Sequence, residues 1–261
     1  MRNFNFIAGI IAASFIFMSI PVQADTDESV DSICTDTKIQ FNTNLISPST
    51  SSAQAIFRTS SAMPKGAVDA GQEGIDNIGC RPYLYKKGEY TYACFALTNN
   101  NPFDVKVNVD VTFRGASDEH DYGAVLIQSN WTNIIQLAVR DTKVSSFSYE
   151  FEVFDITNCD VKPANEFLKT PSTKADGENQ KAFKVQNTCD DYIHLPRVYA
   201  LFIKGQKDLV ACEYVTPISY NTYTKEGDGI APGTDIKRYI STKNIEYDRV
   251  ELYSDGFIIK E

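Results

Sequence analysis

Val105-Lys106-Val107-Asn108-Val109-Asp110-Val111-Thr112-Phe113 alternates apolar and polar side chains over its whole length. Successive strand residues point to opposite faces, so this period of two specifies a strand with one buried face and excludes an amphipathic helix. Phe147, Tyr149, Phe151 and Val153 alternate likewise with Ser146, Ser148, Glu150 and Glu152. Upstream, residues 81–85 and 89–97 flank Lys86-Lys87-Gly88 and read as a hairpin, with Gly88 supplying the positive φ. Asn99-Asn100-Asn101-Pro102 is a turn cluster, and residues 124–128 and 134–139 supply shorter strands.

The same plan recurs downstream. Phe95-Ala96-Leu97-Thr98-Asn99 corresponds to Phe183-Lys184-Val185-Gln186-Asn187, and Val109-Asp110-Val111-Thr112-Phe113 to Val198-Tyr199-Ala200-Leu201-Phe202. The offset changes from 88 to 89, so one residue is inserted between the two blocks. Residues 210–216, the turn Ile230-Ala231-Pro232-Gly233, and residues 236–242 and 247–253 complete the second copy. Two divergent all-β repeats predict two tandem immunoglobulin-like antiparallel sandwiches; one continuous β domain is the alternative. The expected boundaries are a polar, partly disordered N-terminal arm at 25–79, a first sandwich at 80–162, a linker at 163–181 and a second sandwich at 182–261. The Ser/Thr clusters at 47–52 and 58–61 mark the arm, and Pro163, Pro171 and 175–179 mark the linker.

The chain has 261 residues, 43% of them apolar, and a net charge of -9. That is enough apolar material for real cores, and the acidic balance excludes a nucleic-acid binder, which needs basic patches. Residues 1–24 read as a signal peptide: Arg2, an apolar run from Phe6 to Ile20, Pro21, and the small-residue site Val22-Gln23-Ala24. The apolar run is short of the ~20 residues a spanning helix needs. The expected destination is secretion or the periplasm, with no stable membrane insertion after cleavage. The first cysteine, Cys34, is too far from the apolar run for lipid attachment, and the C-terminal residues lack the tail of a glycolipid-anchor signal.

Six cysteines in an exported chain read as three disulfides. Cys189 and Cys212 share the second repeat, so the economical pairing is Cys189–Cys212. The three-residue turn Lys86 to Gly88 would set Cys80 opposite Cys94, which leaves Cys34 for Cys159. Cys34–Cys80 with Cys94–Cys159 stays open as a rival.

Phe183 to Asn187, Val198 to Lys204, Ile230 to Gly233 and Tyr247-Asp248-Arg249-Val250-Glu251-Leu252 follow one another as strand, turn and strand. This succession resembles the FxLYD-type sandwich modules of exported bacterial proteins, mainly over 182–255 and more weakly over 90–162. Leu201-Phe202-Ile203-Lys204 lacks the aspartate of the family's Leu-Tyr-Asp. The resemblance implies a spacer or interaction domain and transfers no active site.

Catalytic signatures are sparse. No G-x-S-x-G, H-E-x-x-H or EF-hand loop occurs, and His120 and His194 are the only histidines. His120, in Ser117-Asp118-Glu119-His120-Asp121, reads as part of a solvated turn; a metal or acid–base site on Asp118, Glu119, His120 and Asp121 is the sharper alternative. His194, before Leu195-Pro196, reads as structural. Residues 176–178 and 225–229 read as simple loops rather than calcium sites. Asn130-Trp131-Thr132 is a glycosylation sequon. Trp131, if exposed together with Tyr90 or Tyr92, would offer a sugar-stacking or partner-anchoring surface. The expectation is therefore a non-catalytic adhesive, scaffolding or protein-interaction module without catalytic residues, metal or cofactor. The partner is a protein or a glycan, and a carbohydrate-binding accessory role and a 118–121 hydrolase are the alternatives.

Overall fold

The computed structural model describes residues 63–115, 118–173, 179–217 and 229–260. The segment expected as a signal peptide, most of the expected arm with Cys34, and residues 116–117, 174–178 and 218–228 lie outside them.

The described chain is all-β, and its strands form four stacked antiparallel sheets. In the first sandwich, β1 (Val68–Asp69), β4 (Val105–Arg114), β5 (Glu119–Ile127) and β7 (Ser146–Asp155) order as β1-β7-β4-β5. Facing them are β2 (Ile78–Lys87), β3 (Tyr90–Asn99) and β6 (Thr132–Val139), ordered β2-β3-β6. Val105, Val107, Val109, Val111 and Phe113 of β4 meet Ala93, Phe95 and Leu97 of β3 in one core, as the alternating sequence requires. Ala70 and Ile75, flanking or within the short helix α1 (Gly71–Asp76), also pack on this core. The end of the segment read as an arm is thus part of the sandwich.

The second sandwich repeats this topology. Here β8 (Val161–Pro163), β12 (Ile193–Lys204), β13 (Asp208–Val215) and β16 (Arg249–Ile259) order as β13-β12-β16-β8, with β14 (Gly229–Ile230) also pairing β12. The facing sheet holds β9 (Leu168–Lys169), β10 (Ser172–Thr173), β11 (Gln180–Asn187) and β15 (Asp235–Ser241), with β11 central. Each element has its counterpart: β11 for β3, β12 for β4, β13 with β14 for β5, β15 for β6 and β16 for β7. The inserted residue falls at Leu195-Pro196, where the β12–β16 register slips between His194 and Arg197 and Leu195 takes φ 45°. This is a β-bulge, the usual accommodation of one extra residue in a strand.

Two buried asparagines anchor the repeats identically. Asn99 Nδ2 donates to the carbonyls of Phe103 (2.8 Å) and Ile127 (3.2 Å), and its Oδ1 accepts from Asn101 N–H (3.0 Å). Asn187 Nδ2 donates to those of Asp191 (2.8 Å) and Ile230 (3.0 Å), and its Oδ1 accepts from Cys189 N–H (3.0 Å). The turn preceding β6 places Asn130 at φ 60°, and the turn preceding β15 places Gly233 at φ 64°. Glycine and asparagine are the residues that tolerate this left-handed region.

The sandwiches meet through the outward face of β2-β3-β6 and that of β13-β12-β16. Tyr85, Cys94, Ala96 and Ile134 from the first form one buried cluster with Tyr199, Leu201, Ile203, Leu209 and Cys212 from the second. A polar rim surrounds it. Arg81 bonds to Glu251 (3.1 Å) and Tyr253 (2.6 Å), Asn133 donates to Asp255 (2.9 Å), and Lys87 pairs with Glu213. Within the segment expected as a linker, the described residues 163–173 pack onto the second sandwich. Val161–Pro163 pairs β16, and Ala164 and Leu168 are buried in the second core. Polar composition concealed this because the apolar residues that dock the segment are few and widely spaced.

Candidate functional site

A cleft of about 600 Å³ opens at the β8 edge of the second sandwich. It is lined by Lys162, Phe167, Asp191, Tyr192, His194, Ile258, Ile259 and Lys260. The bulge at Leu195 lies beside it. His194 is paired with Phe257 across β12 and β16, and their rings stack with centroids 5.5 Å apart; Tyr192 meets the His194 ring edge-on at 4.9 Å. Lys162 Nζ lies 4.9 Å from the Phe167 ring centroid and 3.5 Å from Glu166, while Lys260 Nζ donates to the Thr157 carbonyl at 3.0 Å. The lining mixes the rings of Phe167, Tyr192 and His194 and the apolar Ile258 and Ile259 with the charged Lys162, Lys260 and Asp191, a combination that suits binding of an extended chain segment. The cleft thus gathers a histidine read as structural with residues the sequence did not single out. Their only signal was the extra residue in the second repeat.

At the equivalent position of the first repeat the arrangement differs. Lys106 pairs with Leu126 and Phe154 as His194 pairs with Gly229 and Phe257, but Lys106 is buried. Burial pulls its ammonium down to about 8, partly countered by Glu152.

The residues of the 118–121 segment diverge. Glu119, His120 and Asp121 are in strand β5, not in a turn, and alternate faces. Asp118 pairs with Arg114 (3.0 Å), and His120 Nδ1 lies 3.1 Å from Thr112 Oγ1 and 3.9 Å from Asp110. Asp121 instead accepts from the N–H groups of Tyr122 (2.9 Å) and Ala138 (3.0 Å). The turn composition misled because a polar outer face lets a strand carry consecutive charges. Among the described residues, no group of three His, Cys, Asp or Glu side chains forms a metal site.

Trp131 is 37% exposed, with Lys169 Nζ 5.8 Å from its ring centroid, and Tyr90 is 42% exposed. They share no surface. Thr98 pairs with Thr132 and Thr91 with Val139, so Trp131 and Tyr90 sit at opposite ends of β6, on the order of 20 Å apart. Tyr92 stacks on Tyr85 (5.0 Å) and is drawn into the seam between sandwiches.

No disulfide joins Cys80, Cys94, Cys159, Cys189 and Cys212 to one another. The hairpin turns at Gly88-Glu89, since Lys87 pairs with Tyr90; Cys80 therefore faces Leu97 and Cys94 faces Tyr83. That register differs by an odd number of residues from the one expected, which sends the two cysteines to opposite faces of the sheet. Cys189 packs on the second core and Cys212 in the seam, so the expected Cys189–Cys212 pair is separated by the thickness of a sheet. Cys159 is buried elsewhere, and its expected partner Cys34 lies outside the described residues.

No family model and no curated protein matches the chain. Solved structures show only distant likeness. The C-terminal globular domain of an oligosaccharyltransferase from Pyrococcus abyssi is 10% identical at TM-score 0.20, covering 71% of this chain and 48% of that one. Red sea bream transglutaminase is 8% identical at TM-score 0.19, covering 70% and 31%. The chain thus spans less than half the length of either. Allantoicase from Saccharomyces cerevisiae is 8% identical at TM-score 0.10, covering 66% and 76%. Among the described residues no helix is long and apolar enough to cross a membrane.

Proposed function

We propose that this is an exported, non-catalytic β-sandwich protein that works as a protein-interaction module, with the cleft around His194 as its binding surface. The observation that carries this reading is the cleft itself, where aromatic and apolar side chains stand beside Lys162, Lys260 and Asp191. An extended peptide with an apolar side chain and a carboxylate fits such a lining: the side chain would enter between Phe167 and Tyr192, and the carboxylate would meet an ammonium. The signal segment at residues 1–24 supports export, and the resemblance to exported sandwich modules agrees with it.

The test is panning a random peptide display library on the mature protein, with Phe167→Ala and Lys260→Glu as controls. Recovered peptides should share an apolar–acidic pattern and lose at least tenfold in affinity on both variants. Peptides indifferent to both substitutions would remove the cleft from the proposal. A glycan array run in parallel addresses the carbohydrate alternative; retention lost on Trp131→Ala would favour that reading.

A further inference from the structure

Two cysteines face each other across the seam. Cys94, on β3, is 0% exposed and Cys212, on β13, is 3% exposed; both belong to the cluster that joins the sandwiches. Backbone register brings their strands together independently of the thiols. Gln136 is the β6 partner of Cys94, and its Nε2 lies 3.4 Å from the carbonyl oxygen of Cys212. Tyr85, one strand over on β2, donates its hydroxyl to that same carbonyl at 3.1 Å. The thiols themselves are hydrogen-bonded.

We propose that Cys94 and Cys212 form a disulfide that staples the two sandwiches together. This rests on the export reading, because such bonds persist in oxidising compartments. The reactant is a disulfide-carrying oxidoreductase or oxidised glutathione. Its S–S bond breaks as the Cys94–Cys212 bond forms, two electrons pass to it, and the two thiol protons end on its released sulfurs. Sealed in the seam, neither thiol meets a bulky oxidant in the docked molecule. The bond is therefore made while the sandwiches are still apart, and closing them buries it. Hydrogen bonding to Cys94 and burial both raise the Cys212 thiol's pKa, which keeps it unreactive in any molecule that docks reduced.

The experiment refolds the reduced, denatured mature chain in a glutathione redox buffer, quenches with an alkylating agent and maps peptides without reduction. The expected result is a Cys94 peptide linked to a Cys212 peptide. Both cysteines alkylated, or either linked to another cysteine, would overturn the inference. Chain recovered from the producing cell's exterior or periplasm is mapped in parallel. Failure to find it there sinks the export reading, while the refolding arm still decides the disulfide.

Discussion

Strands β4 and β12 occupy the same place in two copies of one topology, yet their sequences read differently. On β4, Val109, Val111 and Phe113 enter the core while Asp110 and Thr112 face outward. On β12, Val198, Ala200 and Phe202 take the equivalent core positions, but Tyr199, Leu201 and Ile203 on the other face are buried in the seam. The copies differ because β12 lies in an inner layer of a four-layer stack and β4 in an outer one. Strands buried on both faces read as continuous apolar runs. The facing partners differ in the same sense: β3 offers Cys94 and Ala96 to the seam, while β11 carries Lys184 and Gln186 outward.

If the outward face of β12 is what holds the sandwiches together, Leu201→Asp should have the largest effect of any single change. It places a carboxylate in a seam where Leu201 is fully buried among apolar and aromatic side chains. Its cost should exceed about 4 kcal/mol, the range of buried unpaired charges. Chemical denaturation measures it, and small-angle scattering should show the sandwiches parting. A loss below about 1 kcal/mol would mean that the seam is not closed in solution.

The alternation on β4 and β7 made the first sandwich legible, and the repeat alignment located the inserted residue to within a few positions of the bulge. The seam was less legible. Continuous runs such as Val198 to Ile203 announce double burial, but nothing in them says which other sheet provides the cover. The hairpin register was misjudged because Lys86, Lys87 and Gly88 read as loop, whereas pairing runs on to Lys87 and Tyr90. That shift carried the Cys80–Cys94 pairing with it. The cleft was illegible for a different reason: its lining comes from strand ends and connections far apart in sequence, such as Lys162, Asp191 and Lys260, each unremarkable alone.

Asn99→Ala and Asn187→Ala test whether the repeats share their anchoring as well as their topology. Each removes four hydrogen bonds: two carbonyls and one backbone N–H lose this partner, and so does Asn101 Nδ2 (3.1 Å) in one case and the Cys189 thiol (3.1 Å) in the other. Each should cost about 2–4 kcal/mol, and the two values should agree within about 1 kcal/mol. Urea titrations of both variants give the comparison. A wide disparity would show that one anchor is dispensable and that the likeness is geometric only.

Lys106→Met sharpens the contrast with His194. With the Lys106 ammonium held at about 8, the folded state gives up a proton that the unfolded chain keeps to near 10.5. Between those values the unfolded state binds more protons, so stability rises with pH across that window. Below pH 8 the charged lysine opposes folding. The methionine variant should be more stable at neutral pH by about 1–3 kcal/mol and should lose the alkaline rise. Stability curves from pH 6 to 10 decide it; an unchanged slope would mean that Lys106 stays charged in the fold.

The smallest effect is expected from the reciprocal exchange, Thr112→Leu, which gives the outward face of β4 the residue that β12 uses in the seam. Thr112 is only half-buried among Asp110, His120 and the polar side chains of β5, and no sheet covers it. Leucine there loses the contact with His120 and gains no apolar partner, so stability should move by no more than about 0.5 kcal/mol either way. The core on the opposite face is untouched, because alternate residues of a strand do not share a side. Thermal unfolding measured beside Leu201→Thr makes the pair informative: the same two residue types, exchanged in opposite directions, should cost several-fold more on β12 than on β4. Equal costs would mean that position in the stack does not decide what these strands tolerate, and the outer-versus-inner distinction would fall.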